Sequence, residues 1–241
     1  MGAYFASRGL ASRLLLGDTA NPTGTNFINV ALQDPEAVKY IGAVSFHSWN
    51  GGTVEQYTRW SQAARQLNLP LLVAEGGTDP QAYRARAIFL EPWYALDEIR
   101  QYVEICRIAE PLSILHWQYT NDFSILAGGR GQPLRPAQRF WQIKQLGMTA
   151  PDSLAVPITC DTPAVVSCAF VDHGSYVVHI VNNGAARPAT LSGIPDNIKE
   201  LRVYVTDSQR GMKETGRVPV AAGVARLALD STSFTSVMGS P

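Results

Sequence analysis

The sequence predicts two folds in series: an α/β part with a parallel sheet over residues 1–148, then an all-β sandwich over 149–241. Short, continuous apolar runs alternate with stretches of helical spacing in the first part, the pattern of buried parallel strands covered by helices. Evenly spaced short strands separated by Gly, Asn and Pro fill the second. Apolar residues make up 46% of the 241 and charged ones 17%, enough to bury cores and too few charges for a disordered chain.

In order, the first run is SRLLLGD (12–18), which ends in a polar turn. YIGAVSFHSW (40–49) is the second. PLLVAEGG (70–77) is the third, opened by Pro70 and closed by Gly76 and Gly77. LSILHWQYTND (112–122) is the fourth. Residues 53–67 carry Val54, Tyr57, Trp60, Ala64 and Leu67 near helical spacing, and 92–109 carry Trp93, Leu96, Ile99, Val103 and Cys106. A last helix over 136–146 stops at Gly147. TAPDS (149–153) reads as a linker. Strands are expected at 154–159, 164–171, 175–182, 187–191, 200–206, 217–221, 224–229 and 233–238, with turns at Asp172–Gly174, Asn182–Gly184, Pro195–Asn197 and Ala222–Gly223.

Twenty basic and twenty acidic side chains cancel, which argues against a nucleic-acid or anionic-membrane partner. No segment approaches 18 consecutive apolar residues, so no membrane span is expected. The N-terminus lacks a basic flank followed by a long apolar stretch, so no signal peptide is read, and the compartment stays open. Cys106, Cys160 and Cys168 show no metal-ligand spacing with histidine. A pairing of Cys160 with Cys168 stays open, because spacing does not establish geometry. No metal and no cofactor is implied.

The ends of the four runs concentrate chemistry. Asp18 ends the first. His47, Ser48, Trp49 and Asn50 end the second, Glu75 the third, and Trp117, Gln118, Tyr119, Asn121 and Asp122 the fourth. In a parallel α/β barrel the C-terminal strand ends build the active site. Carboxylates act on an anomeric carbon and indole faces pack on sugar C–H groups, so this set suits a carbohydrate. Glu75 is the sharpest feature, a carboxylate at the end of an otherwise apolar strand. It is either a functional group or a strand-end partner in a salt bridge. Asp18 is either a second carboxylate of the site or a cap for the turn-rich DTANPTG. His47 either orients Glu75 or serves structure. Trp49 and Trp117 are sugar platforms or core. Asp79 and Asp122 read as loop residues, and Glu91 as a helix-start acid that suits the dipole. Trp60, Trp93 and Trp141 read as packing residues, and His173 and His179 are given no role.

The order of these motifs resembles the clan A glycoside hydrolases, in particular families 30 and 39. LLVAEGG resembles the seventh barrel strand, which makes Glu75 the nucleophile of a retaining mechanism. FHSW resembles the sixth strand and sets His47 beside it. ILHWQYTND resembles the eighth, with Trp117, Tyr119 and Asn121 as substrate contacts alongside Trp49. YFASRGLASRLLLGD resembles the fourth helix leading into the fifth strand. SYVVHIVNNG, ELRVYVTD and STSFTSVMGS resemble the closing β-domain. The resemblance implies cleavage of β-linked sugars.

The resemblance also implies half of a TIM-type barrel, with about four β/α units. A complete barrel takes eight units and roughly 250 residues, whereas about 150 precede the β-domain here. The glutamate that acts as acid/base at the end of the fourth strand has no counterpart, which leaves Asp18 or a second chain to supply that carboxyl group. Two open edges and an uncovered inner face predict a homo-oligomer, in its simplest form a two-fold dimer. A catalytically inactive carbohydrate-binding remnant, and one half of a split glycosidase needing a partner chain, stand as alternatives.

Overall fold

A computed structural model describes residues 1–129 and 131–241 of the chain. It divides into two compact units. The first comprises Met1–Gln81 with Ile108–Trp117, the second Ala82–Arg107 with Gln118–Pro241.

The first unit opens with helix α1 (Gly2–Ser7) and holds a four-stranded parallel sheet of β1 (Leu14–Thr19), β2 (Ile41–His47), β3 (Leu71–Gly76) and β4 (Ser113–His116), ordered as in the sequence. The four apolar runs are these strands. A 3-10 segment (Pro22–Ile28), α2 (Asn29–Leu32) and α3 (Pro35–Val38) connect β1 to β2. Asp34 starts α3 by accepting from the Glu36 and Ala37 amides at 2.9 and 3.3 Å.

Helix α4 (Val54–Leu67) joins β2 to β3. Thr53 and Gln56 close a capping box at its start, and Asn68 in the left-handed region ends it. Its buried stripe meets the outer face of β2, where Phe46 lies 5.4 Å from Trp60 and 6.0 Å from Tyr57, ring centre to ring centre. Trp60 is fully buried and donates its indole N–H to the Pro22 carbonyl at 2.9 Å, so its polar atom is satisfied and its size becomes core volume.

Among the described residues, β1 pairs only with β2 and β4 only with β3, so both outer edges of this sheet are unpaired. Leu15 on β1 and Leu115 on β4 are 42% and 55% exposed. In a closed barrel, alternate side chains of this kind fill the interior.

The second unit begins with a 3-10 segment (Ala82–Leu90) and α5 (Pro92–Ile108), of which all but Ile108 lie in this unit. A short 3-10 turn (Asn121–Phe123), the hairpin of β5 (Leu126–Gly129) and β6 (Gln132–Pro136), and α6 (Gln138–Leu146) follow. The sequence gives no signal for this hairpin, because β5 is short and glycine-rich and β6 is exposed throughout, so no buried face imposes alternation.

Arg139 of α6 is fully buried and makes a two-pronged bond to Glu98 of α5, 2.8 Å at each prong. It also donates to the carbonyls of Phe123 and Ser124 at 3.2 Å and lies over the Phe89 ring at 4.6 Å. Burial opposes the charge on Arg139, but the Glu98 carboxylate outweighs it and holds the guanidinium above its ordinary pKa.

The remaining strands are β7 (Leu154–Val156), β8 (Val165–Asp172), β9 (Ser175–Asn182), β10 (Arg187–Ser192), β11 (Glu200–Thr206), β12 (Lys213–Pro219), β13 (Val224–Leu229) and β14 (Ser233–Gly239). Six form an antiparallel sheet in the order β12-β11-β14-β9-β8-β7, and β10 pairs with β13. Val178, Leu201, Val203 and Val237 of the large sheet share a core with Ala225 and Leu229 of the small one. This is the expected antiparallel β-domain.

The sixth strand starts at Lys213 and not at 217, because KETGRVP lies on an exposed edge where no buried face imposes alternation. All three cysteines are free: Cys160 is exposed, and Cys106 and Cys168 are buried. Burial, and then the Cys106 thiol, push the Cys168 thiol well above its usual pKa.

Candidate active site

The C-terminal ends of β1, β2 and β3 gather three titratable side chains. His47 donates from Nε2 to Asp18 Oδ1 at 3.0 Å, because an ionised carboxylate only accepts. The other ring nitrogen, Nδ1, lies 3.1 Å from Glu75 Oε2. The imidazole is therefore a wedge between two carboxylates. Trp49 donates its indole N–H to the same Oε2 at 3.0 Å. Among the described residues the other oxygen, Oε1, has no hydrogen-bond donor, and the Glu75 side chain is 28% exposed.

Local backbone irregularity aims these groups. Register shifts fall at Gly17/Thr19 between β1 and β2, at Phe46/His47 between β2 and β3, and at Val73/Gly76 between β3 and β4. Such bulges re-aim side chains next to active sites. Asp18 itself is in the left-handed region at φ 59, a conformation that aspartate tolerates better than most residues.

Ser48, fully buried, bridges to the strand that carries Glu75. Its hydroxyl donates to the Gly77 carbonyl at 2.8 Å and accepts from the Gly77 amide at 2.9 Å. Gly77 is glycine for a steric reason: a Cβ there would stand 2.2 Å from Cζ3 of Trp49. The second glycine of LLVAEGG thus makes room for the indole that holds Glu75.

Of the residues singled out in the sequence, Asp18, His47, Trp49 and Glu75 come together. Trp49 is only 7% exposed, so its ring offers no open face, and its polar edge serves Glu75. Trp117 follows β4, donates its backbone N–H to the Gly76 carbonyl at 2.9 Å, and is 40% exposed. Tyr119 and Asn121 belong to the second unit, where Ser124 donates to the Tyr119 carbonyl at 2.9 Å. Asp122 pairs with Arg86, and Asp79 accepts from the Gln81 amide at 2.8 Å, so both serve local structure. Ser48 and Gly77 escaped the sequence reading as functional positions. A serine in a strand-end cluster and a paired glycine are signals only once the indole's path is known. Among the described residues no cluster of His, Cys, Asp and Glu could hold a metal ion, and no helix is long and apolar enough to cross a membrane.

A four-stranded parallel sheet with helical connections, followed in sequence by an antiparallel β-domain, is a fold also present in solved glycoside hydrolases of families 30 and 39. No family model matches the sequence, and no curated protein matches it.

The likeness is to solved structures. The family 30 subfamily 8 xylanase Xyn30A from Clostridium acetobutylicum is similar over 100% of this chain, with a TM-score of 0.81 at 12% identity. A family 30 endoxylanase from Clostridium papyrosolvens C71 is similar over 98%, with a TM-score of 0.79 at 16% identity. A family 39 β-xylosidase from Caulobacter crescentus is similar over 99%, with a TM-score of 0.58 at 14% identity. This chain spans 58%, 58% and 59% of those three proteins. At such identities the likeness is one of fold.

Proposed function

We propose that this chain carries the nucleophile half of a retaining β-glycosidase site. One observation carries the reading: Glu75 ends a strand of the parallel sheet, Oε2 accepts from Trp49 at 3.0 Å and lies 3.1 Å from His47 Nδ1, and among the described residues no donor meets Oε1. In the mechanism, Oε1 attacks the anomeric carbon as the glycosidic C–O bond breaks. A second carboxyl group protonates the leaving oxygen, and a glycosyl-enzyme ester forms. That same group then takes a proton from water, which attacks the anomeric carbon and releases Glu75. Trp49 and His47 fix the carboxylate plane through both steps. The exposed face of Trp117 is a platform for a sugar ring.

We assign the second carboxyl group to a complementary half barrel. Asp18 Oδ1 is engaged by His47 at 3.0 Å and approached by the Ser45 hydroxyl at 3.4 Å, so Asp18 serves as the anchor of His47. A retaining pair needs an open gap of about 5–5.5 Å between its carboxyl groups, and an imidazole fills the space between Asp18 and Glu75. A second copy of this chain is one supplier we propose: among the described residues both edges of the parallel sheet are unpaired, and Leu15 and Leu115 are exposed.

Light scattering paired with hydrolysis of nitrophenyl β-glycosides tests both parts. The expected result is a dimer that turns over substrate, with Glu75→Gln removing turnover and keeping the dimer. An inactive protein that still binds xylo-oligosaccharides would make the chain a carbohydrate-binding remnant. Activity that appears only with another polypeptide would make it half of a split enzyme.

A further inference from the structure

We propose that the β-domain holds a second carbohydrate site, separate from Glu75, that takes a sugar unit bearing a carboxylate. Its assignment to a sugar rests on the glycosidase reading, while the anion and the apolar floor come from the structure alone.

Five residues of the large sheet stand directly opposite one another across five strands. They are Arg217 on β12, Arg202 on β11, Met238 on β14, Val177 on β9 and Phe170 on β8. Directly opposed residues share a face. The neighbouring row, Val203, Val237, Val178 and Ala169, faces the sandwich core, so this row faces the other way.

The next row on the outer face, Ser236 and His179, is covered. Gln145 of α6 donates to the Ser236 hydroxyl at 2.9 Å, and Thr149 bonds His179 at 2.9 Å. The helix then ends, and the row from Arg217 to Phe170 stays open as a cavity of about 380 Å³, walled by Met148 and Ser153. That volume falls in the range of small-molecule pockets.

Lys199, Arg202 and Arg217 line this cavity with two carboxylates, Glu200 and Asp172, and Asp172 pairs with His173, so one cation is in surplus. Arg202 and Arg217 are directly opposed, and like charges so placed repel. Arg217 has Glu200 at 2.8 Å and Glu214 at 3.9 Å. Arg202 has only the Tyr204 ring, 5.9 Å away, and makes no ion pair among the described residues. Lys199 also lines the cavity, and its ammonium donates to the Asp196 carbonyl at 2.6 Å.

A guanidinium without a carboxylate, at the end of a floor of methionine, valine and phenylalanine, fits a ring with one apolar face and one carboxylate. The planar fork of Arg202 takes the carboxylate in a two-pronged bond. The floor takes the C–H face of the ring, and Met238 and Met148 adapt to its outline. A uronic acid unit has both features, and a neutral sugar lacks the anion.

Calorimetric titration of the full chain with methyl β-glucuronide, methyl β-glucoside and benzoate, at low salt, tests this. Saturable binding of the glucuronide is expected, at least tenfold tighter than the glucoside, and lost in Arg202→Met, which keeps the packing of the stem. Glu75→Gln should bind the glucuronide as wild type does. The proposal is overturned if the glucuronide does not bind, if the glucoside binds equally well, or if Arg202→Met has no effect. Benzoate binding tighter than glucuronide overturns the sugar assignment. Loss of hydrolysis in Glu75→Gln with glucuronide binding intact separates this site from the catalytic reading, so either can fail alone.

Discussion

His179 makes the β-domain sensitive to acid in a way that can be worked from its surroundings. The ring is fully buried on β9, stacked 5.7 Å from Phe234 and edge-on to Phe170. Nδ1 meets the Ser236 hydroxyl at 2.7 Å and Nε2 the Thr149 hydroxyl at 2.9 Å. Both partners are neutral, so nothing compensates an imidazolium there, and burial lowers the pKa from 6.5 to about 3. Below pH 6.5 the unfolded chain takes up a proton that the folded chain refuses. Stability is therefore complete above 6.5 and falls as pH drops towards the folded value.

Each pH unit in that window costs about 1.4 kcal/mol, so the loss is about 2 kcal/mol by pH 5 and roughly 4 kcal/mol by pH 3. Carboxylates elsewhere also respond to acid, so the measured quantity is a difference. Urea unfolding of wild type and His179→Gln would be followed by tryptophan fluorescence at each pH. Glutamine can bond both hydroxyls and does not titrate. The stability of wild type relative to the variant should fall by about 2 kcal/mol between pH 7.5 and 5. A difference that stays flat across that interval, or an imidazole signal that titrates near its ordinary value, would refute the reasoning.

Two further outcomes follow from single contacts. Trp49→Phe removes the indole N–H from Glu75 Oε2 and should lower kcat/KM for nitrophenyl β-glycosides by about 10- to 100-fold, since a hydrogen bond to a charged group is worth about 1.5–3 kcal/mol. Steady-state kinetics alongside an unchanged urea midpoint would locate that loss in the site, and unchanged turnover would deny the indole its holding role. Glu98→Gln leaves the Arg139 guanidinium buried without its carboxylate and should destabilise by about 3–5 kcal/mol, read as a lower urea midpoint at constant slope.

Much of the architecture is carried by local pattern. A short apolar run such as LLVA, opened by Pro70 and closed by two glycines, reads as a parallel strand, and the stripe of Tyr57, Trp60 and Ala64 reads as one helix face. The β-domain strands announce themselves by their turns. Elements with no buried face gave no such signal: the β5–β6 hairpin was missed and β12 was misplaced by four residues.

Sequence alone determined that Asp18, His47 and Glu75 stand at successive strand ends, because parallel strands in one order leave little choice. It could not say which of them touch. That Trp49 turns its N–H to Glu75 and not its face to a ligand, and that Gly77 clears its path, depends on the packing of β2 against β3. Across the β-domain sheet, the alignment of Arg202 with Arg217, Met238 and Val177 depends on strand register. Contacts of this kind join residues far apart in the chain, and no local propensity encodes them.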